Sequence, residues 1–243
     1  MLGRFLEFSL AAPDIRASLD FYTRLGFSQA EVGEAWSHPY AVVTDGRICL
    51  GLHQAEIAAP SLTFVKPDLL KHLEALEELG LEFKFRHLGN DVFNEVGWLD
   101  PTGQLVRLIE ARTFSPSKRI ATDTSQCGYF LEIALPTPNL EASKAYWEQF
   151  GFVGMDEPDD RMPHISCTSD YVDLGLYDPA HMRRPTLRFE TDDVGETLAR
   201  LADIGISPAG EAASPQRQMS TAVLTAPEGT PILLEAPGRR DGP

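Results

Sequence analysis

Two glutamates set in apolar surroundings are the residues that most invite chemistry. Glu7 lies in Leu6-Glu7-Phe8-Ser9-Leu10 and Glu132 in Leu131-Glu132-Ile133-Ala134-Leu135. Strand alternation sends Leu6 and Phe8, or Leu131 and Ile133, to one face and the glutamate to the other. A carboxylate turned inward needs a metal, a cationic partner or a proton, because an isolated buried charge is costly. The bland alternative is that each glutamate reaches water at the mouth of a cavity.

Histidines and aromatic residues are the next candidates. His53 and His164 lie on or beside strand-like runs and could line a cavity, although a strand histidine more often has a structural task. His38 and His181 fall in loops and His72 on the exposed side of a helix, where a histidine usually has no part. Trp36, Tyr40, Phe85, Phe93 and Trp98 could wall a pocket for a planar or apolar ligand, or simply belong to the core. No residues have the spacing of a Ser-His-Asp or Cys-His nucleophile system, and Cys49 has no neighbouring base.

The two glutamates are related by a repeat. LEFSLAAPDIRASLDFYTRLGF, from Leu6, returns as LEIALPTPNLEASKAYWEQFGF, from Leu131, and 125 positions separate each matched pair. Self-similarity at a fixed spacing signals a duplicated structural unit. Each copy reads as an alternating strand, a Pro-containing turn, an amphipathic helix and a Gly stop. PYAVVTDGRICLGLHQ follows as two strands joined at Asp45-Gly46, and PHISCTSDYVDLGLYD is its counterpart. A further strand then opens a second helix, PDLLKHLEALEELG or DDVGETLARLADIG, with Leu69, Leu73, Leu76 and Leu79 at helical spacing in the first. Two strands around a turn close each half.

The reading is an α+β chain of four βαβββ modules in two tandem domains, residues 1–112 and 128–237. Residues 113–127 form a polar linker and 238–243 a tail. At 243 residues the chain can give each domain its own core. Acidic residues outnumber basic ones, 36 to 21, for a net charge of −15, which argues against a nucleic-acid partner. Three cysteines without a CxxC pair indicate neither a disulfide framework nor a zinc knuckle. No apolar run approaches the ~20 residues that span a bilayer, so a cytoplasmic protein without a membrane partner is expected.

This module order resembles the vicinal oxygen chelate superfamily, which includes glyoxalase I, the bleomycin- and fosfomycin-resistance proteins and the extradiol dioxygenases. Asp14 to Phe27 and Asp100 to Ala111 carry the resemblance best. It implies curled mixed sheets forming open cups, each with a ligand cavity. It also implies a divalent ion held by side chains from the first, fourth, fifth and eighth strands of a module pair. Here those positions fall on Glu7, Gly51, Ser61 and Arg107, and on Glu132, Gly175, Thr186 and Leu233. One ligand in four is too few, so no metal cofactor is expected; if one binds, Glu7 or Glu132 holds it. A Glu–Arg pair made by Arg107 is the economical replacement, with Glu7 or Glu132 as partner according to whether a cup forms within a half or from swapped modules. A shift of two residues would turn Glu235 inward in the second half.

The expected function is the binding of a small organic molecule without turnover, with Glu7, Glu132, Arg107, Ser61, Thr186, His53, His164 and Trp36 as candidate ligand contacts. The alternative is a divalent-metal-dependent or metal-free lyase, isomerase or dioxygenase in which Glu7 or Glu132 holds the ion or is catalytic. A fused duplication can replace a homodimer, so a monomer is expected.

Overall fold

The computed structural model describes residues 2–31, 36–89, 94–111, 125–157, 162–208 and 220–237. In the first module an eight-residue strand β1 (Arg4–Ala11) leads into helix α1 (Ile15–Arg24) and strands β2 (Ser28–Ala30), β3 (Tyr40–Thr44) and β4 (Cys49–His53). The second has β5 (Ser61–Lys66), α2 (Leu73–Glu78), β6 (Phe83–His87), β7 (Glu95–Leu99) and β8 (Leu105–Glu110). The third repeats the first with β9 (Tyr129–Pro136), α3 (Leu140–Glu148), β10 (Val153–Glu157), β11 (His164–Thr168) and β12 (Leu174–Tyr177). The fourth contributes β13 (Thr186–Glu190), α4 (Val194–Asp203), β14 (Thr221–Thr225) and β15 (Pro231–Glu235).

Each half makes its own open mixed sheet. The orders are β2-β3-β4-β1-β5-β8-β7-β6 and β10-β11-β12-β9-β13-β15-β14. Two modules meet through the antiparallel pair β1–β5, and again through β9–β13. The sites therefore form within a half, not from swapped modules.

Local chemistry explains the repeated helices. Asp14 accepts from the Ala17 amide at 3.0 Å to start α1, and Asn139 does the same for Ala142 at 3.0 Å to start α3. Gly26 and Gly151 follow these helices at φ 89° and 92°, a conformation that a side chain would oppose. The second helix departs from the expected single run. A 3-10 turn (Leu69–His72) precedes the six-residue α2, behind Asp68 at φ 53°. Leu69 and Leu76 are buried, but Leu79 is exposed, since the broken axis no longer keeps one stripe facing the core.

One apolar core runs through both halves. Phe5, Phe8 and Leu10 of β1 enter it, as do Phe130, Ile133 and Leu135 of β9. Each half lays a first-module helix against the other half's last hairpin. The hydroxyls of Ser18 and Tyr22 on α1 donate to Glu228 in the β14–β15 turn, both at 2.7 Å. Trp98 on β7 donates from Nε1 to the Tyr146 hydroxyl on α3 at 2.6 Å. Trp98 is fully buried in that contact and belongs to the core. Gln126 and Cys127, read as linker, are packed: the Gln126 amide donates to the Leu25 carbonyl at 2.7 Å and Cys127 is buried. Residues 112–124, Phe93, Arg217 and the 238–243 tail lie outside the described residues.

Candidate functional site

A bulge aims each glutamate. In β1 the pairing with β5 slips between Phe5 and Glu7, and in β9 the pairing with β13 slips at Leu131. The extra residue, Leu6 or Leu131, breaks the simple alternation. Phe5 and Phe8, or Phe130 and Ile133, all reach the shared core while the glutamate takes the opposite face. Glu7 is fully buried and Glu132 is 4% exposed.

In the first half Glu7 is surrounded by donors. Its Oε1 accepts from the Ser9 hydroxyl at 2.7 Å and lies 2.9 Å from His53 Nε2, and its Oε2 accepts a short bond from the Tyr40 hydroxyl. Burial first, then the charge of Glu7, raises the Tyr40 phenol well above its ordinary range, so it stays a donor. Thr63 supports the cluster through Ser9 at 2.7 Å, and Ser61 lies 3.5 Å from Thr63. Gly51 leaves the space the carboxylate fills, because a Cβ there would sit 2.0 Å from Glu7 Oε1.

His38 belongs to this site, contrary to its reading as an uninvolved loop residue. Its Nε2 is 2.9 Å from His53 Nδ1. One set of tautomers satisfies the whole chain: His53 Nε2–H donates to Glu7, His38 Nε2–H donates to His53 Nδ1, and His38 Nδ1 keeps a lone pair. Burial, then His53 and Arg107, lower the His38 pKa, which favours the neutral ring. Trp36 borders the cluster, 5.5 Å from the His38 ring and 5.1 Å from that of His53.

Arg107 faces the same side but makes no ion pair with either Glu7 or Glu132. Its Nε is 3.7 Å from Glu95 Oε2, and its guanidinium lies 5.5 Å from the Trp36 ring centre and 5.6 Å from that of Phe85. Register is the reason. Thr63 stands between Glu7 and Arg107 in the row Glu7–Thr63–Arg107–Gly97, and Glu95 is two residues from Gly97 and so on the same face.

The Glu–Arg pair forms instead in the second half, with Arg188, which lies directly opposite Glu132. Arg188 Nη1 donates to Glu132 Oε1 at 2.9 Å, and its Nε is 2.5 Å from Glu235 Oε1. The Tyr177 hydroxyl accepts from Arg188 and donates to Glu132 in two short bonds. His164 Nδ1 donates to the Met162 carbonyl at 3.0 Å, leaving Nε2 as the acceptor towards Arg188 Nη1 at 3.4 Å. Its 3.7 Å approach to Glu132 is therefore no hydrogen bond. Thr186 spends its hydroxyl on the Arg184 carbonyl at 2.9 Å. Glu235 needs no slip to face inward, since it shares parity with Leu233 on β15 and is 3% exposed. The sequence signal for Arg188 was the same parity, two residues from Thr186.

These donor sets do not fit the divalent ion that the resemblance implies. In the second half a guanidinium lies between the two carboxylates and repels a cation. In the first half Glu7 already accepts from three protein donors, and Gly51 has no side chain to offer. Among the described residues no three His, Cys, Asp or Glu side chains are grouped to hold a metal. A cavity of about 220 Å³ opens elsewhere, between the halves, with Phe8, Leu10, Pro60, Pro185 and Thr230 in its wall. Glu228, at its edge, is already taken by Ser18 and Tyr22. Arg184 also lines it, but the buried carboxylate with its histidines and tyrosine is at Glu7.

No family model and no curated protein sequence matches this chain. Solved structures do. A catechol 2,3-dioxygenase superposes with a TM-score of 0.60 at 13% identity, over 97% of this chain and 88% of that one. A variant of homoprotocatechuate 2,3-dioxygenase from Brevibacterium fuscum gives 0.63 at 18% identity, over 99% and 74%. The Arthrobacter globiformis homoprotocatechuate 2,3-dioxygenase gives 0.59 at 18%, over 99% and 83%. Among the described residues no helix is long and apolar enough to cross a membrane. With four modules in order, two open mixed sheets and this likeness along nearly its whole length, the chain has the tandem two-domain fold of these dioxygenases.

Proposed function

We propose that this protein binds a small organic molecule at the Glu7 face of its first half, with no divalent metal in either half and no turnover. One observation carries the reading: the protein's own donors already engage both buried carboxylates, Arg188 at Glu132 and Tyr40, His53 and Ser9 at Glu7. A fold keeps its cavities when the residues at their floors change, so binding can outlast metal chemistry. The single core shared by the two halves supports a monomer, and we place it in the cytoplasm. Elemental analysis of purified protein, followed by thermal-shift measurements with Ni, Zn, Mn and Fe salts, tests the reading. Metal well below one equivalent and no marked stabilisation by any ion are expected. Stoichiometric iron or manganese would return the protein to the ring-cleaving class for which its structural relatives are named.

A second reading, metal-free acid–base catalysis of the isomerase or lyase kind, is favoured by the Glu7–His53–His38 chain. In it, His38 Nδ1 takes a proton from carbon, His53 and Glu7 stabilise the imidazolium that forms, and the Arg107 guanidinium faces the developing oxyanion. Solvent deuterium exchange into a bound carbon acid, lost in His38→Gln, would favour this reading over simple binding.

A further inference from the structure

We propose that the first half takes a small organic carboxylate, with its anionic group on Arg107 and its planar body against Trp36. The proposal rests on the binding reading above and names the ligand class. Arg107 is 5% exposed. Its Nε is enclosed and unbonded at 3.7 Å from Glu95, and neither terminal nitrogen donates to any described residue. Only Nε is sealed from water without an acceptor, which is costly, while the terminal nitrogens keep contact with solvent and are the donors a guest can reach. Arg188, equally buried on the other sheet, is tied to Glu132 and Glu235. The two arginines therefore differ in what they still need, and a carboxylate matches the fork of Arg107 in both charge and spacing.

The walls suit such a guest. Trp36 and Phe85 flank the guanidinium, holding it by cation–π attraction and thinning its hydration. Phe85 can lie there because Gly97 is bare; a Cβ at that position would meet the Phe85 ring at 2.3 Å. Of the nearby carboxylates Glu7 is fully engaged, while Glu95 keeps Oε2 without a hydrogen bond, 3.7 Å from Arg107 Nε. Glu7 accepts from three donors, and Glu95 Oε1 is 2.7 Å from His87 Nδ1. His38 is held towards its neutral form, so the fixed positive charge facing a guest is that of Arg107. The net charge of −15 does not decide the matter, since charges beyond about 8 Å are screened at physiological salt.

The test is calorimetric titration of the full chain with benzoate, phenylacetate and indole-3-acetate against the corresponding amides. Each carboxylate should bind at least about tenfold more tightly than its amide, a difference of about 1.4 kcal/mol. Arg107→Met should abolish the preference, and Trp36→Ala should weaken acid and amide alike. Glu95→Gln, which removes the neighbouring negative charge and keeps the arginine, should tighten carboxylate binding several-fold even if Arg107→Met fails to fold. Amides binding as well as acids, or carboxylate affinity unmoved by Glu95→Gln, would overturn the proposal and leave the binding reading standing. No binding by any of these probes would overturn the proposal, and stoichiometric metal would remove the reading beneath it.

Discussion

Tyr40 on β3 and His164 on β11 hold equivalent places in the two halves, and their cross-strand neighbours, His53 and Tyr177, are exchanged to match. In each half a tyrosine hydroxyl donates to the buried glutamate, and the tyrosine and histidine rings lie 4.6 Å apart. The exchange works because both strands aim these side chains at one point, over a glycine that leaves room for the carboxylate. What differs is the residue opposite the glutamate, Thr63 in one half and Arg188 in the other. The first half is left a polar, histidine-lined site, and the second an internal ion pair.

Arg188→Met should destabilise the protein by about 3–5 kcal/mol in urea unfolding, because it strands two buried carboxylates. Arg200→Met, at a half-exposed pair 3.9 Å long, should stay within about 0.5 kcal/mol. A cost below about 1 kcal/mol for the first would mean that Arg188 does not hold those charges.

Gly51→Ala should cost about 1–3 kcal/mol, since its Cβ would meet Glu7 Oε1 at 2.0 Å and break the bonds to Ser9, His53 and Tyr40. In a Glu7→Ala background the same change should cost under about 0.5 kcal/mol. A double-mutant cycle reads the coupling, and additive costs would refute it.

Burial lifts Asp100 from 3.8 to about 6. A carboxyl raised on folding adds stability below its unfolded value and loses it as pH climbs through the folded one. Asp100 should therefore cost about 3 kcal/mol between roughly pH 4 and pH 7. Asp100→Asn keeps an oxygen for the Thr102 and Gln104 amides, both at 2.9 Å, and should flatten that part of the stability–pH curve. An unchanged slope would rule Asp100 out as its source.

Glu228→Ala should loosen the contact between the halves by about 1–3 kcal/mol, because it removes the acceptor for the Ser18 and Tyr22 hydroxyls. Hydrogen exchange at the α1 amides should speed up while that of β13 stays protected. Uniform acceleration would show that the two halves open as one unit.

Much was legible in the chain because it depends on neighbours a few residues apart. The 125-residue repeat, the caps Asp14 and Asn139, and the stops Gly26 and Gly151 all follow from local periodicity and backbone preference, whereas Glu7 and Glu132 owe their facing to the bulges at Leu6 and Leu131. The four-module architecture came with them. Register, bulges and loop placement arise from contacts between residues far apart, and these chose the partners. They set Arg188, not Arg107, opposite Glu132, brought Glu235 to Arg188, and carried His38 from its loop onto His53. A one-residue slip in a sheet exchanges its faces, so pairings across strands had to await the tertiary structure.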